Sequence, residues 1–147
     1  MEKISIVLLN FNGRQHLETF LPSVVTHSQP YAVYLVDNGS TDDSLSFVEK
    51  NFPEVKTIRF EENNGFCGGY NKAIPLINSE YVVLLNTDVE VTPNWVDPLL
   101  HVFKNQPSVK AIQPRILDFK NKEYFEYAGA AGGFIDLMGY PFCRGRI

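Results

Sequence analysis

The chain has 147 residues, 44% of them hydrophobic and 20% charged, with 13 Lys and Arg against 17 Asp and Glu for a net charge of -4. That length suits one globular domain, and the mildly acidic balance supplies no electrostatic footprint for wrapping nucleic acid or for holding an anionic membrane by net charge alone. The apolar runs Ile6–Leu9 and Tyr81–Leu85 are far shorter than the roughly 18 residues of a membrane span, Ser5 and Asn10 interrupt any secretory apolar segment, and the two distant cysteines, Cys67 and Cys143, form neither a disulfide framework nor a zinc site, which suits a reducing compartment.

Ile4–Leu9 is nearly continuous apolar, as a strand covered on both faces should be. Leu17, Phe20, Leu21, Val24 and Val25 recur at helical spacing and predict a helix, in which Pro22 implies a kink or a late start. Val33–Val36 reads as the second strand. Ser40-Thr41-Asp42-Asp43 has the form of a capping box and opens a helix carrying Leu45 and Val48. Val55–Phe60 is a third strand, Phe66–Ile77 a helix begun by glycines, and Tyr81–Leu85 a fourth buried strand. Thr92-Pro93 and Asp97-Pro98 each join a capping residue to proline, which predicts a short turn and then a helix through Phe103. Val109–Ile112 is expected to be strand five, with short strands near Ile116 and Tyr124 beyond it.

Strand–helix alternation of this kind predicts an α/β three-layer sandwich with a mainly parallel central sheet. Ligands of such sheets bind beyond the carboxyl ends of the strands, where strand order reverses. The four exits are Asn10-Phe11-Asn12-Gly13, Asp37-Asn38-Gly39-Ser40, Glu61-Glu62-Asn63-Asn64-Gly65 and Asn86-Thr87-Asp88-Val89-Glu90. Residues two apart in an extended segment point the same way, so Asn86, Asp88 and Glu90 could face one ligand, although Asn and Asp also simply favour turns. A carboxylate beside a neutral amide suits a divalent cation that keeps several waters and bridges to phosphate oxygens. Asp37 and Asn38 precede the helix cap and could hydrogen-bond a pyrimidine edge or a ribose hydroxyl. Gly65, Gly68 and Gly69 permit close packing or close approach of a ligand, with Asn71 one turn into the helix. Neither G-x-G-x-x-G after strand one nor a G-x-x-x-x-G-K-[ST] phosphate loop occurs. His16, His27 and His101 are scattered, Cys67 lacks a His partner and reads as a small buried side chain, and Lys72 reads as solvated.

Taken in order, Ser5–Gly13, Val36–Asp42 (V-D-N-G-S-T-D), Asn63–Ala73 (N-N-G-F-C-G-G-Y-N-K-A) and Tyr81–Val91 (Y-V-V-L-L-N-T-D-V-E-V) resemble a family 2 inverting glycosyltransferase with the GT-A nucleotide-sugar-binding fold. The rhamnosyltransferase-like branch is the nearest, because N-x-D stands at Asn86–Asp88 where other members carry D-x-D. The resemblance implies one GT-A-like domain over 1–147, with 1–113 the nucleotide-sugar-binding part and 114–147 the start of an acceptor-side part.

By the same resemblance, Asp37 and Asn38 contact base and ribose, and Asn10 and Phe11 shape the base pocket. Asn63, Gly65 and Asn71 line the donor floor, and Asp88 holds Mg²⁺ or Mn²⁺ with Asn86 beside it. It also implies a UDP or dTDP sugar donor, a saccharide or lipid-linked saccharide acceptor, a role in cell-surface polysaccharide synthesis, and a cytoplasmic location that extends to peripheral association with the inner membrane face.

The family's general base is a carboxylate further along the chain than Ile147; within 114–147 only Glu126 and Asp136 offer weak substitutes. The expectation is therefore an N-terminal donor-binding fragment with little turnover, able to self-associate through its uncovered face. A non-catalytic nucleotide-sugar-binding domain and a sugar nucleotidyltransferase are the alternatives. The second ordinarily needs a glycine- and basic-rich loop after strand one, where this chain has only Arg14.

Overall fold

A computed structural model describes residues 2–126 and 133–143. The chain separates into two units, 1–97 and 98–147.

In the first unit the apolar runs form four parallel strands: β1 (Glu2–Asn10), β2 (Ala32–Asn38), β3 (Lys56–Phe60) and β4 (Ser79–Leu85). They lie in the order β3-β2-β1-β4, so the chain steps outward from β1 twice and then returns to pair β4 with the other side of β1. Right-handed crossovers therefore place α1 (Arg14–His27) and α2 (Ser44–Asn51) on one face and α3 (Gly65–Ala73) on the other. The strand alternation matches. Val7 and Val36 pack with Tyr70, Ala73 and Ile77 on the α3 side, while Ile4, Ile6, Leu8 and Leu35 are buried on the alternate positions.

Helix α1 buries the expected face through Leu17, Leu21, Val24 and Val25 and runs unbroken past Pro22, whose exposed position leaves its missing N–H on the solvent side. It starts at Arg14, so the late start is not seen. The capping box does not form either. Asp43 is the N-cap of α2 without a side-chain bond, because Ser40 is engaged by the loop after β1. Helix α3 ends at Ala73 and tightens into a 3₁₀ turn over Ile74–Leu76, where Pro75 removes a donor.

Tyr70 joins the layers of this unit: its buried hydroxyl donates to the Leu85 carbonyl at 3.2 Å. Burial pushes its pKa up to about 12, against a smaller opposing pull from a Leu9 backbone hydrogen bond. Because the folded value lies above the ordinary 10.0, this contribution to stability is complete below pH 10 and is lost as pH rises through about 12. Tyr70→Phe should flatten that alkaline loss and cost about 1 kcal/mol at neutral pH, measured as melting temperature against pH for both proteins.

Two expectations fail at the sheet. Strand β4 is an edge, with Leu84 53% exposed, and is not a fully buried strand, because the return across β1 leaves its outer side without a partner among the described strands. Val109–Ile112 is not a strand; a β-prone run without a strand to pair with gains nothing from extension.

The second unit begins within α4 (Val96–Asn105). The short strands expected near Ile116 and Tyr124 appear as an antiparallel bridge between Leu117 and Phe125. A hairpin of β5 (Gly133–Ile135) and β6 (Pro141–Cys143) follows. No helix among the described residues is long and apolar enough to cross a membrane.

Candidate functional site

The reversal of strand order lies between β1 and β4, so their exits meet. A Cβ built on Gly13 would stand 3.7 Å from the Thr87 hydroxyl, which measures how near the two loops come. The exits of β2 and β3 join the same rim, and the joining is done by asparagines.

Asn10 is fully buried at the end of β1, in register with Asp37. Its amide nitrogen faces Asp37 Oδ1 at 3.2 Å, Ser40 Oγ at 3.1 Å and Ser44 Oγ at 2.8 Å, three acceptors for two hydrogens. The carboxylate fixes the amide's orientation, since a flipped Asn10 would turn its oxygen on Asp37. Asn10 Oδ1 is left buried without a hydrogen-bond partner among the described residues, on the side where a Gly13 Cβ would meet it at 2.4 Å.

Asn10→Asp would set a second carboxylate against Asp37. Two such groups cannot both ionise cheaply at that distance. The variant should lose about 2 kcal/mol or more at pH 7, read from urea unfolding against the parent.

Asp37 and Asn38 belong to β2 itself, two residues beyond the strand end expected from sequence, and the pleat sends them to opposite faces of the sheet. Asp37 lies on the α1/α2 side, accepting from Asn10 and, at 3.4 Å, from the Ser40 amide. Asn38 lies on the α3 side. Its nitrogen donates to Asn63 Oδ1 at 3.0 Å and the Gly65 carbonyl at 3.1 Å, and its oxygen accepts from the Asn64 amide at 3.1 Å. Both side chains are 2% exposed or less, so in this state they shape the rim from beneath.

Asn12 was not singled out by sequence reasoning. Its φ of 52° is the left-handed region that asparagine tolerates, and its Oδ1 accepts from the Thr41 and Asp42 amides at 2.8 and 3.3 Å while its own amide donates to Ser40 Oγ. The signal was the Asn-Gly pair at 12–13. Asp42 completes this clasp. Burial works to raise its pKa, but bonds from Ser44 and the Arg14 amide prevail and hold it below the ordinary carboxylate value.

The groups that the rim presents outward are Phe11, 48% exposed, with Asn63, Gly65, Asn71, Asn86 and Asp88, all exposed. Asn63 Oδ1 also accepts from the Gly65 amide at 2.8 Å, which shapes the start of α3. Gly69 packs closely under β1: a Cβ there would lie 2.7 Å from Leu9 Cδ1, so the Leu9 side chain would have to shift. Cys67 corrects the sequence reading: it is exposed, because Gly69, Tyr70 and Ala73 make the inner face of α3 and Cys67 falls opposite them. Lys72 sits beside Asn64 and 3.8 Å from Glu62, on one wall of an open depression of about 500 Å³ lined also by Arg59, Phe60 and Glu61.

No cluster of three His, Cys, Asp or Glu side chains occurs among the described residues. The β4 exit carries two exposed carboxylates, Asp88 and Glu90, and the exposed Asn86 amide two residues before Asp88. That fits a hard cation shared with ligand phosphates and waters, and does not make a closed protein cage. In the second unit, Asp136 Oδ1 accepts from the Met138 and Tyr140 amides at 2.9 Å each, so it caps its own turn and is not placed as a base; Glu126 is exposed.

The profile of glycosyl transferase family 2 matches residues 5–139. The chain is 28% identical over 127 residues to the N-acetylglucosaminyl-diphospho-decaprenol L-rhamnosyltransferase of Mycobacterium tuberculosis (strain ATCC 25618 / H37Rv), covering 78% of this chain and 41% of that relative. Among solved structures it is similar to S. aureus TarS 1-349 in complex with UDP-GlcNAc (TM-score 0.63, 22% identity, 71% of this chain and 32% of that one). It is also similar to the mannosyltransferase PcManGT from Pyrobaculum calidifontis in complex with GDP-Man and Mn²⁺ (TM-score 0.55, 22% identity, 60% of this chain and 28% of that one).

Proposed function

The chain belongs to glycosyltransferase family 2 and has the GT-A fold, and on that premise we propose that its rim binds a nucleoside-diphosphate sugar for inverting transfer to an acceptor hydroxyl. The chain spans about two fifths of the curated relative's length, so the reaction described is that of the whole protein. The observation that carries the reading is the meeting of the β1 and β4 exits at the switch point, with the exposed Asp88 carboxylate beside it.

In this reading Asn10, Asp37 and Asn38 hold the three loops in place from below. Phe11 offers a face for a pyrimidine base, Asn63, Gly65 and Asn71 line the floor, and Asn86 and Asp88 hold Mg²⁺ or Mn²⁺ on the diphosphate. The need for a cation follows from charge: two phosphates approach a unit with thirteen acidic and six basic residues and no phosphate-loop lysine. When bound, the cation neutralises charge on the departing diphosphate. The acceptor oxygen attacks the anomeric carbon, the bond to the diphosphate breaks on the opposite side, and the hydroxyl proton passes to a general base.

UDP or dTDP is the nucleotide suggested by the family branch. The acceptor class is a saccharide or lipid-linked saccharide, by analogy with the diphospho-decaprenol-linked acceptor in the name of the Mycobacterium relative, and cell-surface polysaccharide synthesis at the cytoplasmic face is the setting suggested by the family branch. The test is calorimetric titration of UDP and dTDP into the chain with and without Mn²⁺. Binding that requires the metal supports the reading, and a folded chain that binds neither nucleotide under either condition overturns it.

A further inference from the structure

The turn that carries Asn86, Asp88 and Glu90 is exposed, yet the residues on either side of it, Leu85 and Val91, are both buried. Each of those two is tied through its backbone to a side chain of a different helix. Upstream, the Leu85 carbonyl accepts the Tyr70 hydroxyl at 3.2 Å, which joins the end of β4 to α3. Downstream, the Val91 amide donates to Ser23 Oγ at 3.3 Å, which joins the chain to α1. Ser23 is set for that contact. Its hydroxyl donates to the Phe20 carbonyl at 2.8 Å, so its single hydrogen is committed and a lone pair is left for Val91.

The hold continues past Val91. Trp95 Nε1 donates to Oγ of the fully buried Ser28 at 3.3 Å, the Tyr31 hydroxyl donates to Asp97 at 2.6 Å, and Val96 is buried. Residues 91–97 are thus fastened to α1 and to the loop after it, and 86–90 span two fixed points. All of these residues belong to the first unit.

We infer, on the donor reading above, that Ser23 and Tyr70 are positioning residues for the cation: they fix the two ends of 86–90, so that Asn86 and Asp88 are in place before metal and diphosphate arrive. A cation shared with phosphates and waters takes few protein ligands, and ordering a loose loop around it would subtract conformational entropy from those few contacts. A loop anchored at both ends has lost most of that freedom on folding, so binding does not bear the loss again. Ser23 separates this role from general support. Strand β4 is paired with β1 from Ser79 to Leu85 without it, so losing its hydroxyl should loosen the turn and leave the sheet standing.

The test compares Ser23→Ala, Ser23→Thr and Thr19→Ala in the full chain. Thr19 offers a comparable hydroxyl on the same helix, bonded to the Gln15 carbonyl at 3.0 Å. Two quantities are measured: hydrogen exchange of residues 86–91 without ligand, and calorimetric affinity for UDP and dTDP with and without Mn²⁺. Ser23→Ala should speed the exchange about tenfold and weaken the Mn²⁺-dependent affinity about tenfold, leaving the metal-free affinity within about twofold. Ser23→Thr keeps a hydroxyl that bonds back to the helix and should restore both, whereas Thr19→Ala should change neither. Tyr70→Phe should shift both in the same direction as Ser23→Ala, from the other end of the turn.

Unchanged exchange in Ser23→Ala, or an affinity loss of equal size with and without Mn²⁺, overturns the inference. A parent chain that binds neither nucleotide overturns the donor reading and this inference with it. Metal-dependent binding that Ser23→Ala retains in full overturns this inference alone.

Discussion

Asp88→Ala should remove the Mn²⁺-dependent part of UDP or dTDP binding, weakening it by about 100-fold or more, with little change in stability. The effect is large because of how little else the rim offers. Asp88 lies three residues beyond Leu85, the buried end of β4, on an exposed turn, and the described residues hold no group of three His, Cys, Asp or Glu side chains that could bind the cation by themselves. The fold should be indifferent, because an exposed carboxylate beyond the sheet supports no packing. Asp88→Asn keeps the shape and loses the charge, so it should resemble the alanine variant. Asn86→Ala, which removes only a neutral amide, should cost about tenfold. Calorimetry with and without Mn²⁺ measures all three, and equal metal-dependent affinity in Asp88→Ala and the parent would place the cation elsewhere.

Gly39→Ala is the substitution expected to damage the fold most, by about 3 kcal/mol or more. Gly39 has a φ of +79°, which alone costs a side chain roughly 1–2 kcal/mol. Its Cβ would also stand 2.5 Å from the carbonyl carbon of Glu62 and 2.8 Å from the Asn63 nitrogen, and backbone cannot swing aside as a flexible side chain can. The displaced segment is the one that Asn38 holds through Asn63, Asn64 and Gly65, so the rim should open with it. Gly65→Ala is the control. Its φ of +69° is similar, but nothing lies within 4 Å of the added Cβ, so only the conformational cost of roughly 1–2 kcal/mol should appear. Urea unfolding of the two variants separates the terms, and equal losses would mean that the contact with the β3 exit does not matter.

Most of the sheet was legible because buried parallel strands are written as short apolar runs, and because a helix face repeats with its own period. The exits were legible as Asn, Asp and Gly clusters for the same local reason. Val109–Ile112 shows where that reasoning ends: β-branched residues mark a segment that can be extended, whereas pairing depends on a neighbour that may lie anywhere in the chain. Ser40 makes the point at the rim. Its spacing to Asp43 reads as a cap, yet the buried amide of Asn10 and the Asn12 backbone, about 30 residues earlier, claim its hydroxyl.

By itself, then, the sequence determined the order of β1 to β4 and of the helices between and after them, the positions of the four exits and the family to which their motifs belong, because these depend on near neighbours and on residue type. The tertiary structure decided that β4 is an edge, that Asp37 and Asn38 work on opposite faces, and that Asn10, Asn12 and Asn38 clasp loops while Phe11 and Asp88 face outward. An asparagine or aspartate at a strand end carries the same signature whether it serves a ligand or its own backbone. Only the position of its partners, fixed by strand order and pleat, tells the two apart.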